Sequence, residues 1–593
     1  MPLSLRLFTA FLFLSFACFA QVPALERELS FSVQNENAEK VLGKIQEQAH
    51  VTFSYASGIL KNVKPLTRQF KKNTVREVLL ILLPVNISFK AKGEYIILKE
   101  VAAEKVAQHK EVSGYVYDKN THKKLSNVTV YDKNTLQVAT TDKYGFYSLP
   151  STEVEQCITV NKENFKDTCV ALQIDESKLF NIEIDSLSTT VVDSVPAMKS
   201  DASLQNELVA MINESFQKTK GFIHTINVKS PIDRNFQFSV LPYVGSNGLL
   251  SGAVYNRFSL NLLGGYSKGT RGLEAASLFN INRENMSGVQ LSGLFNVVGD
   301  TVKGLQCAGL FNASGKEVMG FQAAGLFNVS FGKIKGVAAA GLMNISADES
   351  MGMMAAGLFN VSIRSSHSLE AAGLFNATKH GLHNMQLSGL VNHTTSGSSF
   401  LQVSGLINMA DHLSGLQIGM INVADSASGI PVGLLSVVRK GVHQLEMSTD
   451  EWFPANVSFL TGVPHLHNIF TAGFQPFGSS RLWHFGYGLG SSIKLKNSWK
   501  AELNATAHHV SKGSVFFGTS GWYKVYMGVE KRFGKRFSMA VGPTFNWYIA
   551  DSLLPSYNDT YYSVVPYHLS EMSLPDGYNL KFWVGGRLAL RFF

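Results

Sequence analysis

Along residues 272–441 apolar and polar positions alternate within a unit that returns at a fixed interval. The segment Ser-Leu-Phe-Asn ends at Asn280 and Gly-Leu-Phe-Asn ends at Asn296. The same asparagine returns at Asn312, Asn328, Asn344, Asn360, Asn376, Asn392 and Asn408, each 16 residues on, and shorter steps of 14 reach Asn422 and Ser436. Within one unit Val289, Leu291, Gly293, Phe295 and Val297 share one face, and Gln290, Ser292, Leu294 and Asn296 share the other. That is the period of 2 of an extended strand, and a constant repeat length marks a repeat architecture. Two architectures fit. Each unit is one strand of about nine or ten residues in an antiparallel membrane barrel, with Gln and Asn along the lumen and Phe and Val toward lipid. Alternatively each unit is one rung of a β-solenoid with stacked asparagines. The constant period favours the solenoid. The flanking strands favour the barrel, which is the leading expectation.

Those flanking strands alternate without repeating. Residues 236–244 and 258–262 precede the repeats, and 456–463, 467–474, 482–495, 499–510, 522–533 and 537–549 follow them. A last strand, 580–593, puts Leu580, Phe582, Val584, Leu588, Leu590 and Phe592 on one face and Lys581, Arg587 and Arg591 on the other. With each repeat as a strand the sum is about twenty, in one barrel over 236–593. Trp452, Trp483, Trp499, Trp522, Trp547 and Trp583 all follow the repeats, where interfacial aromatic girdles would explain them. The Tyr-, Ser- and Pro-bearing stretch 551–578 is the expected long extracellular loop.

The first residues have the order of a secretory signal. Arg6 is followed by an apolar run and then Ala17, Cys18 and Ala20, so residues 1–20 are read as removed on export. Residues 25–101 alternate between strand and helix periods in the order β-α-β-β-α-β-β. Thr74 with Glu77 makes a capping box for the second helix, and Pro84 stops it. This unit, on LSFSVQNENAEKVLGKIQEQAHVTFSYASGIL and TVREVLLILLPVNISFKAKGEYIILKE, resembles the STN domain, the secretin and TonB N-terminal domain. The resemblance implies a periplasmic domain that contacts an inner-membrane anti-sigma regulator, or serves as a spacer. Residues 110–175 read as a small β-sandwich. Their V-x-G-x-V-x-D and T-D-x-x-G-x-Y segments around Val112–Leu149 resemble the carboxypeptidase regulatory-like domain, which carries no peptidase residues. Cys157 and Cys169 flank an Asn-Lys-Glu-Asn turn and can face each other across a hairpin as a disulfide. In the linker 176–235, Thr189, Thr190, Val191 and Val192 fit either a TonB box or plain linker, and Leu204, Leu208, Met211, Ile212 and Phe216 line one side of a helix. The linker is too short for a plug domain of about 100 residues. The repeats themselves resemble a family of surface-repeat proteins better defined by sequence than by function.

Composition changes the picture little. Charged residues make up 16% of the chain, well below the roughly 25% of soluble domains. The formal charge of +9 is spread along the chain, which argues against nucleic acid and suits anionic lipid headgroups. No P-loop, HExxH, G-x-S-x-G or CxxC pattern occurs. His465 with His467, and His508 with His509, lack a third ligand at a telling distance, so neither a metal nor another cofactor is expected. The chain is therefore expected to be a non-enzymatic outer-membrane protein with periplasmic N-terminal domains, acting as surface protein or channel. Its expected partners are outer-membrane lipid, the outer-membrane insertion machinery, and an anti-sigma regulator or TonB. The alternatives are a degenerate TonB-dependent receptor without a plug and a solenoid used as adhesin or scaffold.

Overall fold

The structure, a computed structural model, describes residues 22–84, 86–101, 110–151, 157–171, 179–187, 210–217, 219, 221–476, 481–512, 521–534, 536–551 and 565–592. Residues 1–20 of the expected signal, Thr189–Val192, Leu204, Leu208 and residues 552–564 of the expected loop lie outside this set. The chain divides into two compact units. One comprises residues 1–198, 213–256 and 266–268, and the other comprises 199–212, 257–265 and 269–593.

In the first unit the expected α+β order is present. Strands Glu28–Glu36 and Leu66–Thr74 pair antiparallel, and Thr52–Ser54, Tyr95–Glu100 and Ile87–Lys92 form a second small sheet. Helix Ala38–Ala49 is capped by the Asn37 side chain, and helix Val75–Leu82 by the Thr74/Glu77 capping box. Both present Val41, Leu42, Ile45, Val75, Val78 and Leu79 to one apolar core. The sandwich packs the sheet of Lys110–Asp118, Phe146–Ser151 and Ile182–Ile184 with that of Thr129–Tyr131, Val138–Thr140, Ile158–Asn161 and Thr168–Val170. It runs past the expected end at 175, because Ile182 and Ile184 complete its core and pair in parallel with Lys110–Asp118. Cys157 and Cys169 are disulfide-bonded across the hairpin of Ile158–Asn161 and Thr168–Val170, with Cα atoms 5.7 Å apart. Tyr131 and Leu136 also pack with Val228, Ile232, Leu250, Ala253 and Val254. There Thr129 Oγ1 lies 3.1 Å from His224 Nδ1.

The second unit corrects the leading expectation for the repeats. They form a parallel β-solenoid, and the barrel is confined to Val442–Phe592. Each 16-residue rung carries two short strands, such as Met286–Ser292 and Phe295–Val298, and each strand pairs in parallel with its counterpart one rung on. Thus Gln290 lies beside Gln306 and Asn296 beside Asn312. An antiparallel barrel reverses alternate strands, so like residues would not meet in register. A constant period in parallel stacks each residue on its counterpart one rung on. Glycine makes the rung possible. Gly288, Gly304, Gly320, Gly336 and Gly352 all have positive φ, and a Cβ on Gly304 would stand 2.2 Å from the Gly288 carbonyl oxygen.

The barrel has eight antiparallel strands rather than about twenty. They are Val442–Asp450, Ala455–Val463, Leu466–Gln475, Leu482–Lys494, Trp499–Lys512, Gly521–Phe533, Phe537–Asp551 and Tyr578–Phe592. The first and last pair, Glu446 opposite Arg591, which closes the sheet. A short strand, Ser570–Ser573, adds to the last. The six non-repeating segments predicted after the repeats coincide with six of these strands to within a few residues, because each alternates over its whole length.

Candidate functional site

Both parts of the second unit are polar within and apolar without. In the solenoid all ten predicted asparagines, Asn280, Asn296, Asn312, Asn328, Asn344, Asn360, Asn376, Asn392, Asn408 and Asn422, are fully buried. They face the inside of the coil rather than a barrel lumen. Each Nδ2 donates to the Oδ1 of the next, at 2.9–3.0 Å from Asn280 through Asn422. Each of the ten also donates to a backbone carbonyl of the next rung, as Asn312 does to Ala323 O at 2.8 Å and Asn422 to Val432 O at 2.9 Å. An amide carries both donor and acceptor, so the column satisfies itself.

A second column runs with the opposite polarity. Gln322 Nε2 donates to Gln306 Oε1 (2.6 Å), Gln306 to Gln290 (2.8 Å), and Gln290 to the Glu274 carboxylate (2.8 Å). Ala338 and Met354 then interrupt it with an apolar patch shared with Ile334. It restarts as Gln417 to Gln402 (2.7 Å), Gln402 to Gln386 (2.8 Å) and Gln386 to Glu370 (2.8 Å). A chain of donors pointing toward the N-terminus must end on a group that only accepts, and a carboxylate is that group. Glu274 also accepts from Thr270 Oγ1 (3.0 Å), and Glu370 from Ser362 Oγ (2.8 Å) and Thr378 Oγ1 (2.9 Å). At the other end of each column the last acceptor, Gln322 Oε1 or Gln417 Oε1, has no partner. The repeat pattern showed the glutamines. The role of the two glutamates was missed, although their replacement of Gln at the repeat position was the available signal.

The outside of the coil carries Phe and aliphatic columns. Phe279, Phe295, Phe311 and Phe327 stack with ring centroids 5.0–5.4 Å apart. Leu278, Leu310, Leu342, Leu374, Leu390 and Leu406 are exposed at the Gly-Leu arch. Beside it runs an open trough of about 1120 Å³ lined by Cys307, Ala323, Ala339, Ala355 and Ala371 among others. Charged side chains gather on the opposite turns, where pairs such as Lys316–Asp300 (2.7 Å), Lys333–Glu349 (3.0 Å) and Arg364–Asp348 (3.1 Å) join successive rungs.

The barrel fills its interior with ions and aromatics. Arg591, wholly buried, bonds Glu446 (2.8 Å), Glu530 (3.0 Å) and Glu502, while Arg587 bonds Glu446 and Lys500 reaches Glu530 at 3.2 Å. Lys524 pairs with Asp450 at 2.5 Å. Of the expected lumen residues, Arg591 and Lys581 are buried; the three glutamates that answer Arg591 were not recognised, because pairing across strands is not written locally. Trp452, Trp522 and Trp583 are not girdle residues but pack inside with Phe453 and Tyr548, whereas Trp499 is exposed. His508 Nδ1 lies 3.1 Å from His484 Nδ1 under this aromatic layer. Among the described residues no group of three or more His, Cys, Asp or Glu is placed to hold a metal. A cavity in the interior, bounded by Asn456, Ser458, Thr506 and Tyr526, measures about 20 Å³, room for about one water. Outward stand Leu445, Met447, Val457, Phe459, Met527 and Val541, all exposed.

Comparison with protein-family models, with curated proteins and with solved structures finds no match for this chain.

Proposed function

We propose that this chain is an exported, non-enzymatic outer-membrane protein, anchored by the barrel Val442–Phe592, with the N-terminal domains in the periplasm. The inverted barrel carries this reading. A belt of exposed Leu, Met, Val and Phe surrounds buried Arg591, Glu446, Glu502 and Glu530. In water a continuous belt of this kind is a liability, because soluble proteins rarely expose large contiguous apolar patches. In lipid it is the outer wall a closed barrel requires. No helix among the described residues is long and apolar enough to cross a membrane, so the strands are the spanning candidates.

The filled interior selects among the roles expected for such a protein. Eight strands enclose only enough space for side chains, and here ion pairs and an aromatic cluster occupy it. That supports an anchor for surface or periplasmic contacts over a channel, and leaves no room for a receptor's plug. Exposed Tyr95 and Ile97 on the strand Tyr95–Glu100, with Tyr55 nearby, suit the α+β domain to protein contact, and an anti-sigma regulator or TonB is the partner class that its STN-like sequence implies.

Fractionation of cells expressing the full chain tests the anchor. The protein should stay in the outer-membrane pellet through urea and carbonate washes, need detergent for release, and migrate differently on gels before and after boiling. Release by carbonate alone would overturn the reading.

A further inference from the structure

The barrel gives the chain one lipid contact; the solenoid carries the observations for a second. Eight ten-residue windows, 289–298, 305–314, 321–330, 337–346, 353–362, 369–378, 385–394 and 401–410, hold among them a single Asp, Glu, Lys or Arg. That residue is Glu370, and it is buried inside the coil. These windows make the Gly-Leu arch and the two sheet faces beside it. The intervening turns hold Asp300, Lys316, Lys333, Asp348 and Arg364. The solenoid is thus amphipathic across its width, with one charged edge and one edge of Leu, Phe, Met and Ala.

Three further observations select the occupant of the apolar edge. First, its backbone is satisfied within the stack. The arch amides of Leu294, Leu310 and Leu326 donate to the leucine carbonyl one rung back at 2.8 Å, and the interior asparagines close on one another in their column. A backbone paired within itself is what the hydrocarbon region requires. Second, the last rung is seated on the outside of the barrel. Ser436 N donates to Asn468 Oδ1 (2.7 Å), Asn468 Nδ2 and Tyr487 Oη donate to Gly433 O (2.8 and 3.0 Å), and Thr461 Oγ1 donates to Ser436 O (2.9 Å). The same barrel wall exposes Leu489, Val457 and Phe459. Third, Val438 and Leu413, buried at the end of the solenoid, pack with Val463 and Leu466 of the barrel, so the last rung is held to the barrel wall by apolar packing as well as by hydrogen bonds.

We infer that the arch edge of the solenoid is immersed in the acyl chains of the same membrane that holds the barrel, with the charged turns directed to the aqueous interface. The inference rests on the proposed membrane anchor, and the test separates the two. Full-length protein with Cys307→Ser is reconstituted in phosphatidylethanolamine/phosphatidylglycerol vesicles. Single cysteines are introduced at Leu342 on the arch, Lys316 on the charged edge or Val541 on the barrel belt. Each is labelled with the environment-sensitive fluorophore NBD, and quenching by nitroxide-labelled acyl chains is read against quenching by an aqueous nitroxide. The expected result is several-fold stronger lipid quenching at L342C and V541C than at K316C, with the aqueous order reversed. Lipid quenching at V541C with aqueous quenching at L342C would overturn this inference and leave the anchor standing. Aqueous quenching at all three positions would overturn both. Far-UV circular dichroism matched to that of the parent shows that each variant is folded.

Discussion

The solenoid and the barrel face one problem, a polar interior sealed from water, and answer it with different chemistry. The solenoid uses uncharged amides, ten asparagines and two runs of three glutamines. The barrel uses charges, with three carboxylates around Arg591. Strand direction explains the difference. Parallel rungs of constant length bring identical positions to within about 4.8 Å of each other. A column of like charges at that spacing costs about 3–4 kcal/mol per neighbouring pair at an effective dielectric near 20. Only a side chain that both donates and accepts can stack on its own copy at no such cost. In the antiparallel barrel, partners are different residues, so Glu446 meets Arg591 across the closing pair and opposite charges are admitted. The glutamates of the solenoid fit the same rule, because Glu274 and Glu370 occur once per column, where a carboxylate has glutamine and hydroxyl donors as neighbours and no second carboxylate.

The largest effect should come from the barrel. Arg591→Met leaves Glu446, Glu502 and Glu530 buried without their shared cation, and breaking a buried ion pair costs about 3–5 kcal/mol. The urea midpoint of the detergent-solubilised protein should fall and the boiling-dependent gel shift should be lost. An unchanged midpoint would mean that these charges are not what holds the interior together. In the solenoid, Asn328→Leu deprives Asn312 Nδ2, Asn344 Oδ1 and Ala339 O of one partner each. At roughly 1 kcal/mol or more for each such group, a loss of about 2–4 kcal/mol is expected in the same assay. Asn328→Leu with no measurable loss would show that stacking of Phe and aliphatic columns alone sustains the rungs.

The N-terminal unit supplies a control with ordinary polarity. Burial there holds the His224 pKa down at about 4, against an ordinary value of 6.5. The folded form therefore binds this proton less readily than the unfolded chain, and stability declines as pH falls from about 6.5 to about 4, by about 3 kcal/mol at most. His224→Gln should flatten that part of the stability–pH curve for the first unit's unfolding transition. A slope that persists in the variant assigns it to another group. The smallest effect expected is that of Glu274→Gln. With its oxygen kept toward Thr270 Oγ1 and Gln290 Nε2, which both donate to Oε2, the glutamine turns its amide toward the Asn261 Nδ2 donor on Oε1, for a loss of about 1–2 kcal/mol. If the variant is more stable than the parent, the carboxylate is not the required terminus of the glutamine column.

Much of this architecture was legible in the residues. Thr74 with Glu77 marked a helix start that the structure reproduces, and alternation placed seven of the eight barrel strands, all but Val442–Asp450. The partition of Val289, Leu291, Phe295 and Val297 from Gln290 and Asn296 was also readable and holds, but Leu294, expected on the Gln and Asn face, belongs to the arch between the two strands, where its counterparts Leu278, Leu310 and Leu342 are exposed. A period of 2 is a property of one extended segment, set by its own backbone, so it survives whatever the segment pairs with. Its pairing partner and the direction of that pairing are non-local. Alternation looks the same in a barrel strand and in a solenoid rung, and the repeats were therefore open to both readings. Backbone folding at the Gly-Leu arch decided between them by closing each repeat on itself and laying it parallel on the next. The Asn and Gln face became the inside of a coil, and the barrel was left to the eight strands whose non-identical sequences let opposite charges meet.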